Sequence, residues 1–225
     1  MLSTQTLDKL CALRLEGMAQ ALEEQRRQHD ISDLDFEERL GLLVERQWIW
    51  KENRGLTSRL KYAGFKIQCT LEEIDYRLPR GLKRAQVEQL RHCDWVADNR
   101  NCLITGATGT GKTFLGCALG HRSCVEGHRA LYQYAPKFFR ALQIAHADGS
   151  LTQLLKKLAK VKLLVIDDLM GLRQSLHERR QGLNLILDRA IEAGCAFRWI
   201  RTPIPTPFRT VIPIQFGHFF GAERR

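Results

Sequence analysis

Gly106-Ala107-Thr108-Gly109-Thr110-Gly111-Lys112-Thr113 reads G-x-x-x-x-G-K-T, the pattern of a phosphate-binding loop. The residues before it, Asn101 to Thr105, form a short apolar run suited to a buried strand, and Phe114 to Glu126 suit a helix. Strand, loop and helix in that order are the setting the pattern requires. The glycines let the backbone curl so that successive N–H groups point at phosphate oxygens, and the following helix adds its positive end. Lys112 is placed to reach the β- and γ-phosphates, and the Thr113 hydroxyl to sit on Mg²⁺.

A second stretch carries chemistry. Leu163-Leu164-Val165-Ile166-Asp167-Asp168 is a continuous apolar run ending in two acids. Such a run fits a strand buried on both faces of a parallel sheet. Its carboxyl end is where ligands bind in open α/β sheets. Asp167 is expected to hold Mg²⁺, directly or through water, and Asp168 to orient or deprotonate an attacking water. Alone the pattern says little. Downstream of a matched phosphate loop it reads as the other half of a nucleoside triphosphate site. Strands and helices alternate from here, which predicts an α/β fold with a right-handed parallel sheet flanked by helices.

The chain has 225 residues, 44% hydrophobic and 27% charged, the composition of an ordinary globular protein. No apolar run is long enough to span a membrane, and Met1 to Gln28 is too charged for a secretory leader. The seven cysteines are scattered and form no C-x-x-C pair, which points to reduced thiols in a cytoplasmic protein. His121 and Cys124 stand three apart without a second ligand pair, so a structural role is expected for them. Residues 1–75 hold 11 Lys+Arg against 14 Asp+Glu, a net of −3; residues 76–225 hold 24 against 11, a net of +13. A basic balance of that size suits an anionic partner, most simply nucleic acid.

Apolar spacing predicts one helix over residues 1–28, broken at His29 to Asp33. A second helix is expected from Asp35, capped by Glu38, with Phe36, Leu40, Leu43 and Val44 as its apolar stripe and Gly55 as a weak point. Residues 46–66 interleave six basic side chains with Trp48 and Trp50. They could track a phosphate backbone, or form a solvated face with the tryptophans packed into a helical core or a partner. Thr70 to Glu73 is a further capping box, and Pro79 and Gly81 mark a domain boundary near residue 75. Short helices over 83–91 and 92–98, a strand over 129–134 and helices over about 136–147 and 150–160 complete the middle of the chain. Lys156, Lys157, Lys160 and Lys162 read as a solvated helix end. Ser175 to Glu178 is a capping box opening a helix with Leu183, Ile186, Leu187, Ala190 and Ile191 on one side, and 195–200 suits another strand.

Together these residues resemble the IstB-type transposition helper ATPases of bacterial insertion sequences, AAA+ proteins similar to the DnaC-type helicase loaders. The likeness runs through Leu7-Asp8-Lys9-Leu10, Gly17 to Leu22, Phe36 to Leu43, Ile74 to Arg77, Leu103 through the loop, Cys117 to His121 and the Asp167-Asp168 strand. It implies that Gly106, Ala107, Thr108, Gly109, Thr110, Gly111, Lys112 and Thr113 bind ATP, that Thr113 and Asp167 bind Mg²⁺, and that Lys112 and Asp168 serve hydrolysis. It also implies an oligomer on double-stranded DNA with little sequence preference, beside the transposase of the same element. Residues 1–75 would form a small all-α domain for assembly, DNA or transposase contact, and 76–194 the ATP-binding core.

The likeness stops after about Arg189. Pro203, Pro205, Pro207 and Pro213 crowd the remainder, and only Glu192 and Glu223 are acidic there. Residues 195–225 are therefore expected to be an irregular tail, and a frameshift near codon 190 is the expected origin. Two other readings follow: a replicative helicase loader of the DnaC type, or a nucleotide-binding interaction protein without effective ATPase activity.

Overall fold

The apolar runs that precede the loop and the acidic pair are strands of one parallel sheet in the computed structural model of this chain. The structure describes residues 2–28, 31, 34–77, 81–168, 196–199 and 211–215, the last two stretches as backbone. The chain divides into two compact units, Met1–Ser58 and Arg59–Arg225.

The first unit contains α1 (Leu2–Ala12), α2 (Glu16–Arg27) and most of α3 (Phe36–Ala63). The single helix expected over residues 1–28 is two. Arg14 takes a left-handed φ of 60°. Its N–H donates to Cys11 O at 2.9 Å, and Leu15 N–H donates back to Leu10 O at 2.9 Å. That pair of bonds wraps up the last carbonyls of α1 and stops it. Glycine usually signals this turn, and here an arginine makes it.

Helices α2 and α3 run antiparallel. Gly17 faces Trp50 and Gln47, and a Cβ there would lie 2.7 Å from Trp50 Cβ. At the other end Gln25 Nε2 donates to Arg39 O at 3.1 Å. Met18 N–H donates to Gln47 Oε1 at 3.1 Å, and Arg46 pairs with Glu24 and Arg54 with Glu16. The capping box at Asp35 and Glu38 forms as expected, with reciprocal bonds of 3.1 and 2.8 Å, and α3 runs through Gly55 without a break. Most of the expected apolar stripe points outward, however, Leu43 excepted. Phe36, Leu40 and Val44 are exposed and Trp48 is 64% exposed. The inward face is instead the row Arg39, Leu43, Gln47 and Trp50. Small α2 residues and side chain–backbone bonds make that contact, so hydrophobicity does not mark it.

The second unit is built on β1 (Asn101–Thr105), β2 (Ala130–Tyr134), β3 (Leu163–Asp167), β4 (Ala196–Trp199) and β5 (Val211–Gln215). Their order is β2-β3-β4-β1-β5, and every pairing is parallel. All five residues of β3 are buried, as its unbroken apolar run requires. Helices α4 (Arg84–Arg91) and α5 (Asp94–Ala97) lead into β1, and α6 (Lys112–Val125) follows the loop. Helices α7 (Ala135–Ala147) and α8 (Leu151–Leu158) pack Phe138, Phe139, Leu142 and Leu158 against Leu164 and Ile166. Alternation along β3 therefore leaves Val165 and Asp167 on the opposite face, under α6.

The strand expected over 195–200 is present as β4. In the proline-rich tail, expected to be irregular, residues 211–215 form β5 with Pro213 opposite Leu103. Among the described residues it is an edge strand, the place in a sheet where proline is tolerated. The capping box at Ser175–Glu178 and its helix lie outside the described residues, as does most of the break at 29–33. Among the described residues no helix is long and apolar enough to cross a membrane. Six of the cysteines are free thiols, and of these only Cys11 is exposed.

Two glycine substitutions separate packing from helix propensity. Gly17→Ala is expected to lower the unfolding free energy by about 1–2 kcal/mol, because its Cβ would enter the space of Trp50. Gly41→Ala, with nothing within 4 Å, is expected to raise it by about 0.5–1 kcal/mol. Urea unfolding followed by far-UV circular dichroism reads both.

Candidate functional site

The loop leaves β1 at Thr105 and enters α6 at Lys112. Its three glycines take positive φ: 155° at Gly106, 82° at Gly109 and 92° at Gly111. A side chain would strain each, and only that backbone path turns consecutive N–H groups toward one concavity. Gly111 is the N-cap of the 14-residue α6, so the unpaired N–H groups of the first helical turn open onto the same hollow. Thr110 Oγ1 donates to Ala107 O at 2.9 Å and pins the loop across its base. Lys112 Nζ donates to the same carbonyl at 2.5 Å, which holds the ammonium at the mouth of the loop.

The acidic pair meets the loop although β1 and β3 are not neighbours. Strand β4 lies between them, and α6 bridges the gap. Thr113, in the first turn of α6, donates its hydroxyl to Asp167 at 2.9 Å from Oδ2 and 3.1 Å from Oδ1. Asp167 is only 3% exposed. Asp168 follows it into solvent with a left-handed φ of 58°. The structure thus joins Thr113, the last residue of the loop, to Asp167, with Asp168 next along the chain.

Two tyrosines join this group. Tyr132 Oη donates to Asp167 Oδ2 at 2.7 Å, and Tyr134 Oη donates to Asp168 Oδ2 at 2.9 Å. Register explains both contacts, since Tyr132 lies opposite Val165 and Tyr134 opposite Asp167. Burial, and then the bond to Asp167, push the Tyr132 phenol well above its ordinary range. The bond to the Asp168 carboxylate raises that of Tyr134. Burial also raises the Cys117 thiol. Reasoning from the sequence alone passes over both tyrosines, because alternation in 130–134 gives their common face but not their partner strand.

Beside Thr110 and Gly111 a cleft of about 200 Å³ is lined by Ile74, Leu82, Phe114 and Leu115 together with Glu73 and Asp75. The turn Leu71–Glu73 builds one wall. Its expected capping box forms, with Thr70 N–H donating to Glu73 Oε1 at 3.2 Å.

The helix with interleaved tryptophans divides into different environments. Trp50 packs on Gly17 with the Arg54 guanidinium 4.9 Å from its ring centre, whereas Trp48 is exposed. Arg46 and Arg54 are engaged by acids of α2, and Arg59 donates to Cys124 O at 2.8 Å. Lys51 and Lys61 are exposed.

A model of the IstB-like ATP binding protein family matches residues 8–196. The insertion sequence IS1162 putative ATP-binding protein of Pseudomonas fluorescens is 41% identical over 191 residues, 84% of this chain and 83% of that one. The putative insertion sequence ATP-binding protein y4pL of Sinorhizobium fredii is 40% identical over 188 residues, 84% of this chain and 76% of that one. Among solved structures, AMPPCP-bound DnaA from Aquifex aeolicus superposes with a TM-score of 0.51 at 20% identity, over 67% of this chain and 51% of that one. The replication initiator DnaA bound to AMPPCP and single-stranded DNA gives 0.53 at 18% identity, over 69% and 52%. The chain spans about half the length of these two structures, and the likeness is one of fold.

Tyr132 supplies a test of the site's architecture. Its phenol, raised above the ordinary 10, stays protonated and donating at neutral pH. The bond's contribution is therefore complete below about pH 10 and is lost as the pH rises through the raised folded value. Tyr132→Phe should lower the unfolding free energy by about 1–2 kcal/mol at pH 7. Urea unfolding at neutral and alkaline pH should show the gap between variant and wild type unchanged to about pH 10 and narrowing only above it.

Proposed function

This chain belongs to the IstB-like ATP-binding protein family, and from that premise we propose that it binds ATP with Mg²⁺ and hydrolyses it while assisting the transposase of its insertion sequence on double-stranded DNA. The observation that carries the reading is the bond from Thr113 to Asp167, which joins the phosphate loop to the acidic strand as one site.

The backbone N–H groups of the loop and of the first turn of α6 supply donors for phosphate oxygens, and Lys112 adds a charge that pairs with the β- and γ-phosphates. The apolar walls of the cleft beside Gly111 suit the base. Thr113 and Asp167 fit a magnesium ion: both are hard oxygen donors, already within 3.1 Å of each other. Among the described residues no group of three or more His, Cys, Asp or Glu side chains could hold a metal by itself. Phosphate oxygens and water would complete the shell, as magnesium prefers. When bound, magnesium neutralises charge on the β- and γ-phosphates.

Asp168 acts on water. Its carboxylate accepts a proton as the water oxygen bonds to the γ-phosphorus and the bond from that phosphorus to the β,γ-bridging oxygen breaks. The products are ADP and inorganic phosphate. Most of the rate comes from positioning and charge neutralisation.

The helical region up to residue 75 serves assembly, DNA or transposase contact in this reading. The exposed stripe Phe36, Leu40, Val44 and Trp48 suits a protein partner. The net of +13 over residues 76–225 suits DNA without sequence preference.

Lys112→Ala should weaken ATP binding by at least about 100-fold. Asp168→Asn should keep affinity while slowing hydrolysis about 100-fold or more. Random-sequence duplex DNA should raise wild-type turnover and leave Asp168→Asn silent. Calorimetry with ATP and phosphate release with and without duplex measure these outcomes. Normal nucleotide binding by Lys112→Ala would contradict the assignment.

A further inference from the structure

The two oxygens of the Asp167 carboxylate are held differently. Oδ2 accepts from Tyr132 Oη at 2.7 Å and from Thr113 Oγ1 at 2.9 Å, and Oδ1 accepts from Thr113 Oγ1 at 3.1 Å. A hydroxyl has one proton to give. Thr113 divides its proton between the two oxygens, whereas the phenol gives its proton to Oδ2. Asp167 is buried, so bulk water has little access to replace that bond. Strand pairing fixes the donor as well. Tyr132 lies opposite Val165, one diagonal step from Asp167 on the same face of the sheet. The donor and the carboxylate thus stand on two paired strands, and the carboxylate is gripped by one of its oxygens from a rigid element.

Cations differ in what they ask of a carboxylate. Mg²⁺ demands a near-ideal octahedron at about 2.0–2.1 Å and keeps several waters. The two oxygens of one carboxylate lie too close together to fill two corners of so small an octahedron. Ca²⁺ takes about 6–8 oxygens in flexible geometry and accepts both oxygens of one carboxylate. An oxygen already accepting a short bond from a phenol is a poor second ligand. With Oδ2 so occupied, the carboxylate offers a cation Oδ1, directly or through water.

We propose that Tyr132 is a specificity-determining residue: its hydroxyl keeps Oδ2 of Asp167 occupied, so the carboxylate serves the cation through one oxygen and the site favours Mg²⁺ over Ca²⁺. The inference rests on the reading of Thr113 and Asp167 as the place of the cation. Tyr132 touches neither nucleotide nor cation in this scheme and acts only through Asp167.

Tyr132→Phe removes the hydroxyl and keeps the ring. The measurement is the affinity of the full chain for AMPPCP by calorimetry, with Mg²⁺, with Ca²⁺ and with EDTA, so no turnover is needed. Wild type should bind more tightly with Mg²⁺ than with Ca²⁺. In Tyr132→Phe that preference should shrink by about tenfold, the size of effect that one hydrogen bond to a charged group produces. Affinity in EDTA should stay within about twofold, since the loop is untouched. Tyr134→Phe, which alters a bond to Asp168 instead, should keep the wild-type preference. Should Tyr132→Phe not fold, 4-fluorophenylalanine at position 132 fills the hydroxyl's place without donating and gives the same test. 4-Aminophenylalanine there, which donates an N–H, should restore the preference for Mg²⁺. A preference unchanged in the non-donating variants, even with affinity lowered uniformly, marks a merely structural role and overturns the inference; so does a wild type that binds equally well with either cation. If Mg²⁺ tightens binding in wild type while either result holds, only the inference falls. If wild type binds AMPPCP and Mg²⁺ does not tighten it, the reading of the cation's place falls first. If wild type does not bind AMPPCP, the ATP-binding reading falls, and the inference with it.

Discussion

The Thr113 hydroxyl, donating to both oxygens of a buried carboxylate, is the contact on which the site depends. It joins α6 to the end of β3, across a sheet in which β4 separates β3 from the loop's own strand. The bond needs Asp167 on the face covered by α6, and the alternation of β3 provides this: Leu164 and Ile166 go to the α7–α8 side, while Val165 and Asp167 go to the other. A slip of one residue in β3 would exchange the two faces, sending Asp167 into the cluster of Phe138, Leu142 and Leu158. The packing of that cluster and the chemistry of the site are thus set by the same register.

What could be read from the sequence is what is encoded locally. The loop declares itself through residue types at fixed spacing, and its glycines take the positive φ values that spacing implies. Both capping boxes at Asp35–Glu38 and Thr70–Glu73 form, because each closes within four residues. The acid-ended run from Leu163 is a strand because its length and continuity leave no other use for it. The misses share a cause as well. Tyr132 and Tyr134 matter through lateral register with β3, which no stretch of sequence states. The inward face of α3 is chosen by the close approach of Gly17 to Trp50, so the more hydrophobic stripe is left outside. The end of α1 is made by an arginine in a glycine's conformation. In the tail, the prolines argue against an inner strand but not against the edge that β5 occupies.

Charge and exposure redistribute the roles expected of the helical region. Arg46 and Arg54 looked suited to a phosphate backbone, yet each pairs with a glutamate of α2. Surface pairs of this kind contribute little to stability, but they occupy the guanidinium groups. The basic excess that suits DNA lies in residues 76–225, and the exposed apolar stripe of α3 is the surface more suited to a protein. That division suits the proposed role of a helper that meets both DNA and a transposase.

The central claim is that Thr113 and Asp167 act as one magnesium-dependent half of an ATP site. The direct measurement is ATP affinity as a function of Mg²⁺ concentration for wild type, Thr113→Ala, Asp167→Asn and the double variant. The account predicts that Mg²⁺ tightens binding in wild type, that either single change removes most of that dependence, and that the double change removes little more. Full magnesium dependence in either single variant, or additive losses in the double, would contradict it.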